Sequence, residues 1–402
     1  MIKKILKLIL TSLIVFSQTM TAQGARNDFF VQVDESSLSN PQAVHLTKVR
    51  SRKTAKEVRI VRIKNISRLL NNGPIHLNML HSKLFTVNHD KTEFRERSQY
   101  TWYGTIPEKQ GDVIFVVTEE GITGSVWANM ELYKVEPLGS GVHVVISVDQ
   151  SQFLPEDPSL IEEGTSQKDD STENESNSST TVPPRSGKTL ASVNVVIDVL
   201  VAYTQAVESL TNDIDGLIQL AIDETNQGYM NSGINITLNP VFNWQVDYVE
   251  SGDIEIDLGL FEGIPDEYMP EIHSLRDQYY ADVAILLTND PTYCGRASIL
   301  ATESTAFAIV KYSCATGNYS FGHEIGHLQG ALHDTRVEKS NLPYQYGHGY
   351  VYKPGDWRTI MAWDDPDCPG GSCVRKKYWS NPSVTYGVCR WVPQITNTTP
   401  EC

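Results

Sequence analysis

The spacing of hydrophobic positions changes along this chain of 402 residues. From 26 to 154, β-branched runs such as "GDVIFVVTEEGITGSVWANMELYKV" and "GVHVVISVDQ" alternate in part and are broken by glycines, with no sustained helical period. Period-two alternation punctuated by Gly predicts short strands joined by turns, so residues 26–154 are expected to form a mainly β domain. Beyond 190 the pattern is different. "SVNVVIDVLVAY" (192–203) reads as a buried strand, and 212–233 sets Ile214, Ile218, Ala221, Ile222 and Tyr229 at helical spacing. "INITLNPVFNWQVDY" predicts strand, "PDEYMPEIHSLRDQYY" helix and "ADVAILLT" another buried strand. Strands alternating with helices predict an α/β sheet with parallel neighbours. No internal repeat is visible at a useful period.

The two patterns are separated by 155–189, where Ser, Thr, Asn, Asp and Glu dominate and large apolar residues are nearly absent. Such a stretch buries too little surface to order itself and reads as a disordered acidic linker. At the other end, "MIKKILKLILTSLIVFSQTMTAQGA" (1–25) has early lysines, an apolar run and a small-residue exit. That is the layout of a secretory signal peptide, and the run, interrupted by Lys7, is shorter than the roughly 20 residues a membrane span needs. The expected product is secreted, without a membrane anchor after signal removal, and monomeric. The order of signal, β domain, linker and α/β domain (190–402) suggests a zymogen whose linker is the place of cleavage, with Arg185 in "PPRSGK" a candidate processing point. The alternative is two permanently tethered domains.

Composition sharpens this picture in two ways. All six cysteines, Cys294, Cys314, Cys368, Cys373, Cys389 and Cys402, follow position 293, and in an exported chain they read as disulfides of undetermined pairing. Their spacings lack the paired short repeats of a zinc ribbon. The net charge of −16 falls entirely in the second half: residues 1–189 carry 22 basic and 22 acidic side chains, leaving 33 − 22 = 11 and 49 − 22 = 27 beyond. An acidic half argues against nucleic acid as a partner.

The candidate chemistry lies in "FGHEIGHLQGALHD" (321–334). If 319–331 is helical, as Phe321, Ile325, Leu328 and Leu332 suggest, His323 and His327 share one face, with Cβ atoms about 5–6 Å apart. Their nitrogens can then reach one Zn2+ at about 2.0–2.1 Å. Glu324 would stand beside a water polarised by that ion and take its proton as it attacks a carbonyl. Gly330 lets the chain leave the helix with positive φ, so that His333 can return to the metal as a third ligand. Three protein ligands leave a position open, the mark of a catalytic zinc. His-Glu-x-x-His alone arises by chance in about one chain of this length in sixty, and the added Gly330 and His333 make coincidence negligible.

The full motif His-Glu-x-x-His-x-x-Gly-x-x-His, followed by "WRTIMAW" with Met361, resembles the metzincin signature with its Met-turn. "IDVLVAYT", "ETNQGYMNSGI", "YYADVAILL", "CGRAS", "NYSFGHEIGH" and "YWSNPSVTYG" extend the resemblance over about 190–387, to the reprolysin-like secreted metalloproteases of bacteria, among them the peptidyl-Asp metalloendopeptidases. "YTWYGTIPEKQGDVIFVV" resembles their propeptide, which would act as inhibitor or folding aid. The resemblance implies an α/β (α+β) metzincin-type zincin domain with a twisted mixed sheet and a small irregular C-terminal subdomain. It implies zinc on His323, His327 and His333, Glu324 as general base, Met361 packed beneath the ligands, and an edge strand near 297–300 that pairs with protein or peptide substrates. Asp334 would support the site through buried contacts, and His348 reads as an ordinary loop histidine. The basic run Arg375, Lys376, Lys377 falls where the wall of the pocket after the scissile bond is expected, and a cation there would favour Asp on the leaving side.

Three features depart from the pattern. Trp363 stands where some metzincins carry a tyrosine, so no oxyanion donor is assigned; the β domain has no cysteine to block zinc; and no amphipathic helix follows "YWSNPSVTYG". Any calcium requirement is not legible. The expected function is a secreted zinc metalloendopeptidase made as a zymogen. The alternatives are a narrow-specificity protease toxin and a noncatalytic zinc-dependent adhesion or binding module.

Overall fold

A computed structural model describes residues 28–71, 73–80, 83–95, 99–158, 194–263, 268–340, 343–344, 346–386 and 389–390. The expected signal peptide, Arg185, most of the expected linker, Cys402 and the side chain of Cys389 lie outside the described residues.

The first part is a nine-stranded antiparallel sheet built from β1 (Phe30–Gln32), β2 (Ala55–Ile63), β3 (Ile75–Asn78), β4 (Leu84–Phe94), β5 (Tyr100–Ile106), β6 (Gly111–Thr118), β7 (Gly121–Ala128), β8 (Glu131–Gly139) and β9 (Val142–Val148), with α1 (Asn40–Ser51) between β1 and β2. Its order is β1-β2-β9-β8-β7-β6-β5-β4-β3, a meander closed by β2 on β9. One face of the sheet buries Phe29, Trp102, Phe115, Val126 and Tyr133 in a core of its own. Both faces of β6 and β7 are largely buried, which explains the nearly continuous apolar run of β6, while β7 turns Thr123 and Ser125 to the same face as Trp127. The second face is covered by the rest of the chain.

That second part follows β10 (Val195–Thr204), α2 (Gln205–Glu208), α3 (Ile214–Asn231), β11 (Ile236–Val246), α4 (Ile254–Glu262), α5 (Ile272–Gln278), β12 (Val283–Thr288), β13 (Gly295–Ala297), β14 (Phe307–Lys311), α6 (Tyr312–Ala315) and α7 (Ser320–Leu328). The five-stranded sheet runs β11-β10-β12-β14-β13, parallel except for β13, which pairs antiparallel with β14 at the edge. β12 is buried at every residue, as a strand covered on both faces must be. From 329 to 386 the described backbone carries the two-residue strands β15 (Val351–Tyr352), β16 (Trp357–Arg358) and β17 (Val374–Arg375), a 3-10 turn at Lys353–Gly355 and the first strand of a terminal pair, giving a mostly irregular lower region.

α3 lies between the two sheets. Val199, Ile285 and Val310 of the five-stranded sheet, Ile218 and Ile222 of α3, and Trp127, Leu132 and Val144 of the nine-stranded sheet form one continuous core. Polar links cross the same boundary: Arg95 and Thr101 donate to Asp223, and Thr123 donates to Asp213. Burial raises the pKa of Asp223 to about 6 against the opposing pull of Arg95.

Several boundaries differ from the sequence reading. The helix expected at 265–280 is reduced to Ile272–Gln278, and α4, which precedes it, was not expected. The edge strand is Gly295–Ala297 rather than 297–300, because Leu300 takes a left-handed φ of 57° and its N–H bonds His327 O. The reading of 155–189 as disordered fails for its first residues: Glu156 and Asp157 are buried. They escape the compositional rule because charged partners on the second part hold them. The described cysteines form Cys294–Cys314 and Cys368–Cys373. No helix among the described residues is long and apolar enough to cross a membrane.

Candidate active site

α7 is entered from Tyr319, which has φ 60°, and it ends at Leu328 rather than 331. Its last turn closes as a Schellman motif: Gly330 N bonds His327 O at 2.8 Å and Ala331 N bonds Gly326 O at 2.8 Å, with Gly330 at φ 89°. That left-handed residue turns the chain back along the helix and delivers His333 to the side already occupied by His323 and His327. The loop is then fastened to the lower region, since Leu332 N bonds Gly347 O, Gly349 N bonds Leu332 O, and His348 donates through Nδ1 to His333 O at 2.8 Å. His348 is thus buried and holds the third histidine's backbone in place.

The three Nε2 atoms converge, 3.0 Å between His323 and His327, 3.2 Å between His323 and His333, and 3.1 Å between His327 and His333. Two of the rings are oriented from behind: His323 Nδ1 donates to Ile360 O at 2.9 Å and His327 Nδ1 to Ala331 O at 2.8 Å. A neutral imidazole protonated at Nδ1 presents a lone pair at Nε2, so these carbonyls aim lone pairs at a common point. Burial pushes all three imidazoles towards the neutral form, His323 and His333 well below the usual value and His327 to about 4. Nitrogens bound tetrahedrally to one zinc at about 2.0–2.1 Å stand about 3.3 Å apart, so the triangle and its neutral donors fit such an ion.

Met361 is buried, and its Sδ lies against Gly326, between the two helical histidines; a Cβ on Gly326 would come within 2.6 Å of both that sulfur and the Trp379 ring. The backbone just before Met361 supplies Ile360 O, so this turn both packs beneath and orients His323. Asp334 accepts from Trp363 N at 3.0 Å through Oδ2 and from Arg336 N at 3.2 Å through Oδ1, tying the residue after His333 to the same turn. Trp363 sets its ring 5.4 Å from that of His333, tilted by 54°, and offers no ligand atom.

Glu324 is fully buried, facing Gly295 of β13, and its Oε1 has no hydrogen-bond partner among the described residues. Burial raises its pKa well above the usual carboxylate range, with the charges of Glu156 and Asp157 adding to the effect. Glu156, His323 and Glu324 bring ligand atoms within 4.8 Å of one another.

The basic run splits. Arg375, buried, donates through Nη1 to Glu156 Oε1 at 2.5 Å and to Asn318 O at 2.8 Å. Lys376 instead lies over the rings of Trp127 and Tyr386, and Lys377 pairs with Asp112, so both face the nine-stranded sheet rather than the cleft. Adjacency in sequence therefore does not make a shared pocket: Arg375 meets Glu156, whereas Lys376 meets Trp127 and Lys377 meets Asp112. Sequence reasoning missed Glu156, since nothing in its polar surroundings marks it as buried, and the carbonyls of Ile360 and Ala331, which carry no side-chain signal.

Residues 190–369 match a family model described as Metallo-peptidase family M12. The chain is similar to the peptidyl-Asp metalloendopeptidase of Xanthomonas campestris pv. campestris, 37% identical over 324 residues, covering 76% of this chain and 74% of that protein. It is 42% identical over 284 residues to the protein of the same name from Stenotrophomonas maltophilia, covering 68% of this chain and 64% of that one. A Pseudomonas fragi protein of that name is 39% identical over 166 residues, 41% of this chain and 87% of its own length.

Proposed function

The chain belongs to metallo-peptidase family M12, alongside the peptidyl-Asp metalloendopeptidases, and from that premise we propose that it is a secreted zinc endopeptidase made as a zymogen, with a preference for Asp on the leaving side of the scissile bond. The observation that carries this reading is the convergence of three neutral, buried Nε2 atoms within 3.2 Å of one another, with the Glu324 carboxylate in the same cleft. His323, His327 and His333 would hold the zinc. A zinc ion there would polarise the scissile carbonyl and lower the pKa of water near it.

The chain's own residues do the rest. Glu324 Oε1, without a hydrogen-bond partner among the described residues, takes a proton from the attacking water and passes it to the departing amine. The edge strand β13 offers main-chain groups to an extended peptide, as it does to Pro155 and Asp157 in this structure: Cys294 N bonds Pro155 O at 2.8 Å and Asp157 N bonds Gly295 O at 3.3 Å. These residues occupy the edge strand with Glu156 beside Glu324, which supports reading the part before them, 26–154, as a propeptide and the stretch beyond 158 as the place of processing. The names of the relatives support the Asp preference, as does the cation Arg375 beside the cleft.

The test is zinc content and hydrolysis by the secreted product of the full chain. One zinc per chain and cleavage of casein are expected, with Glu324→Gln retaining the ion and losing at least about a hundredfold in rate. Wild type that binds zinc yet cleaves no member of a diverse peptide library would refute the protease reading.

A further inference from the structure

We propose that Arg375, with Asn318 and Ser320, forms the pocket that selects an acidic substrate side chain, and that Glu156 of this same chain fills that pocket as a built-in substrate mimic. This rests on the protease reading above and names the determinant of its specificity.

Glu156 is held in the manner of a ligand. Its Oε1 accepts from Arg375 Nη1 at 2.5 Å, Ser320 Oγ at 2.9 Å and Asn318 Nδ2 at 3.2 Å. Those three donors come from β17, the start of α7 and the loop residue two positions before it, segments brought together only by the fold. The flanking backbone is pinned on both sides, Pro155 O by Cys294 N and Asp157 N by Gly295 O, while Asp157 pairs with Arg296 of β13. Pro155–Asp157 therefore lies on the edge strand as an extended peptide would, with one carboxylate sunk beside the catalytic residues.

The charge arithmetic points the same way. Arg375 is 3% exposed. Its guanidinium is fixed by Asn318 O and Ala362 O, neither of which neutralises it. A buried cation is costly unless an anion meets it, and here it stands beside a cluster built for a second cation. Once Glu156 leaves, the partner that restores neutrality is a carboxylate presented by a substrate. An amide of the same shape can place its oxygen on the same three donors but brings no charge to Arg375, so Asp is separated from Asn by electrostatics rather than size. Lys376 and Lys377 are excluded from this role, since they point to Trp127 and Asp112.

The experiment uses full-length chains, wild type, Glu156→Gln and Glu156→Gln with Arg375→Gln, each checked for zinc content and circular dichroism. Two peptides differing only in Asp or Asn on the leaving side are the substrates, and amide exchange at Asp157 reports whether the segment is seated. Glu156→Gln should exchange at Asp157 at least about tenfold faster, hydrolyse the Asp peptide at least about tenfold faster than wild type, and prefer it to the Asn peptide. Replacing Arg375 should cut the Asp-to-Asn ratio of kcat/KM by at least about tenfold, with Arg375→Lys, which keeps a charge but loses the planar fork held by Asn318 O and Ala362 O, in between. If Arg375→Gln does not fold, the Lys variant carries the comparison.

A Glu156→Gln chain whose segment stays protected and silent overturns the inference. So does an active Glu156→Gln chain that cleaves both peptides equally, or one whose preference survives loss of Arg375; in those cases the protease reading stands. A released segment with zinc bound and no hydrolysis of either peptide, or of casein, instead refutes the protease reading and the pocket with it.

Discussion

Replacing Asp334 by Asn tests whether the geometry behind the histidines governs the metal. Both carboxylate oxygens accept backbone N–H groups, Oδ2 from Trp363 and Oδ1 from Arg336, and the residue is 4% exposed. An amide has one acceptor oxygen and one donor nitrogen, so whichever way it is turned an NH2 faces an N–H. Arg336 is partly exposed, and its N–H can turn to water; the Trp363 N–H has less recourse. The loss is one charge-assisted hydrogen bond, about 1.5–3 kcal/mol, and the donor facing a donor puts the total near the top of that range. Because Asp334 follows His333 and its partner lies two residues beyond Met361, relaxation of this contact moves a proposed ligand and the turn that supports the others. Zinc affinity should fall about 10- to 100-fold, as when groups behind metal ligands are removed. Competition with a chromophoric chelator measures the affinity, and urea unfolding with and without zinc measures stability. The stability loss should persist in the metal-free protein, since the hydrogen bonds are the protein's own. Asp334→Asn that holds zinc within twofold of wild type and unfolds at the same urea concentration would refute the reasoning.

Gly326→Ala places a Cβ 2.6 Å from both Met361 Sδ and the Trp379 ring; overpacking should cost about 2–3 kcal/mol and lower Tm by about 5–10 °C, checked by calorimetry. Replacing Cys294 and Cys314 together by Ser opens a loop of 20 residues, and the chain-entropy cost is about 3 kcal/mol, read from urea midpoints. For pH, burial lowers the His143 pKa from 6.5 to about 4, and Nε2 accepts from Ile122 N at 3.0 Å. A depressed histidine pKa means that the stability it contributes is complete above 6.5 and is lost as pH falls through about 4. The full loss is about 3 kcal/mol, seen as a slope in unfolding free energy between those limits that His143→Gln abolishes.

The sequence made the histidine cluster legible because its geometry is local. A four-residue spacing on a helix puts His323 and His327 on one face in any fold, and Gly330 at φ 89° does what the glycine suggested. The apolar run 281–288 was readable for the same reason, its strand Val283–Thr288 being buried throughout, whereas the strand read at 192–203 runs Val195–Thr204 and is exposed at Val195 and Val196. What composition misplaced were groups whose environment comes from far along the chain. Asp223 and Glu224 look like the solvated side of α3, yet both are buried, Asp223 against Arg95 and Glu224 accepting Gly317 N. Arg375, Lys376 and Lys377 look like one basic patch, and partners distant in sequence, Glu156 for the first and Trp127 and Asp112 for the other two, draw them to different surfaces.

By itself, then, the sequence determined the element types, the change of architecture near 190 and the three histidines with their glutamate, all of them set by contacts within a few residues. The tertiary structure alone decided which cation faces the cleft and what meets it. Arg375 and Glu156 are 219 residues apart. A buried charge pair of that kind leaves no local pattern, because the pairing energy depends on burial and distance, and folding supplies both.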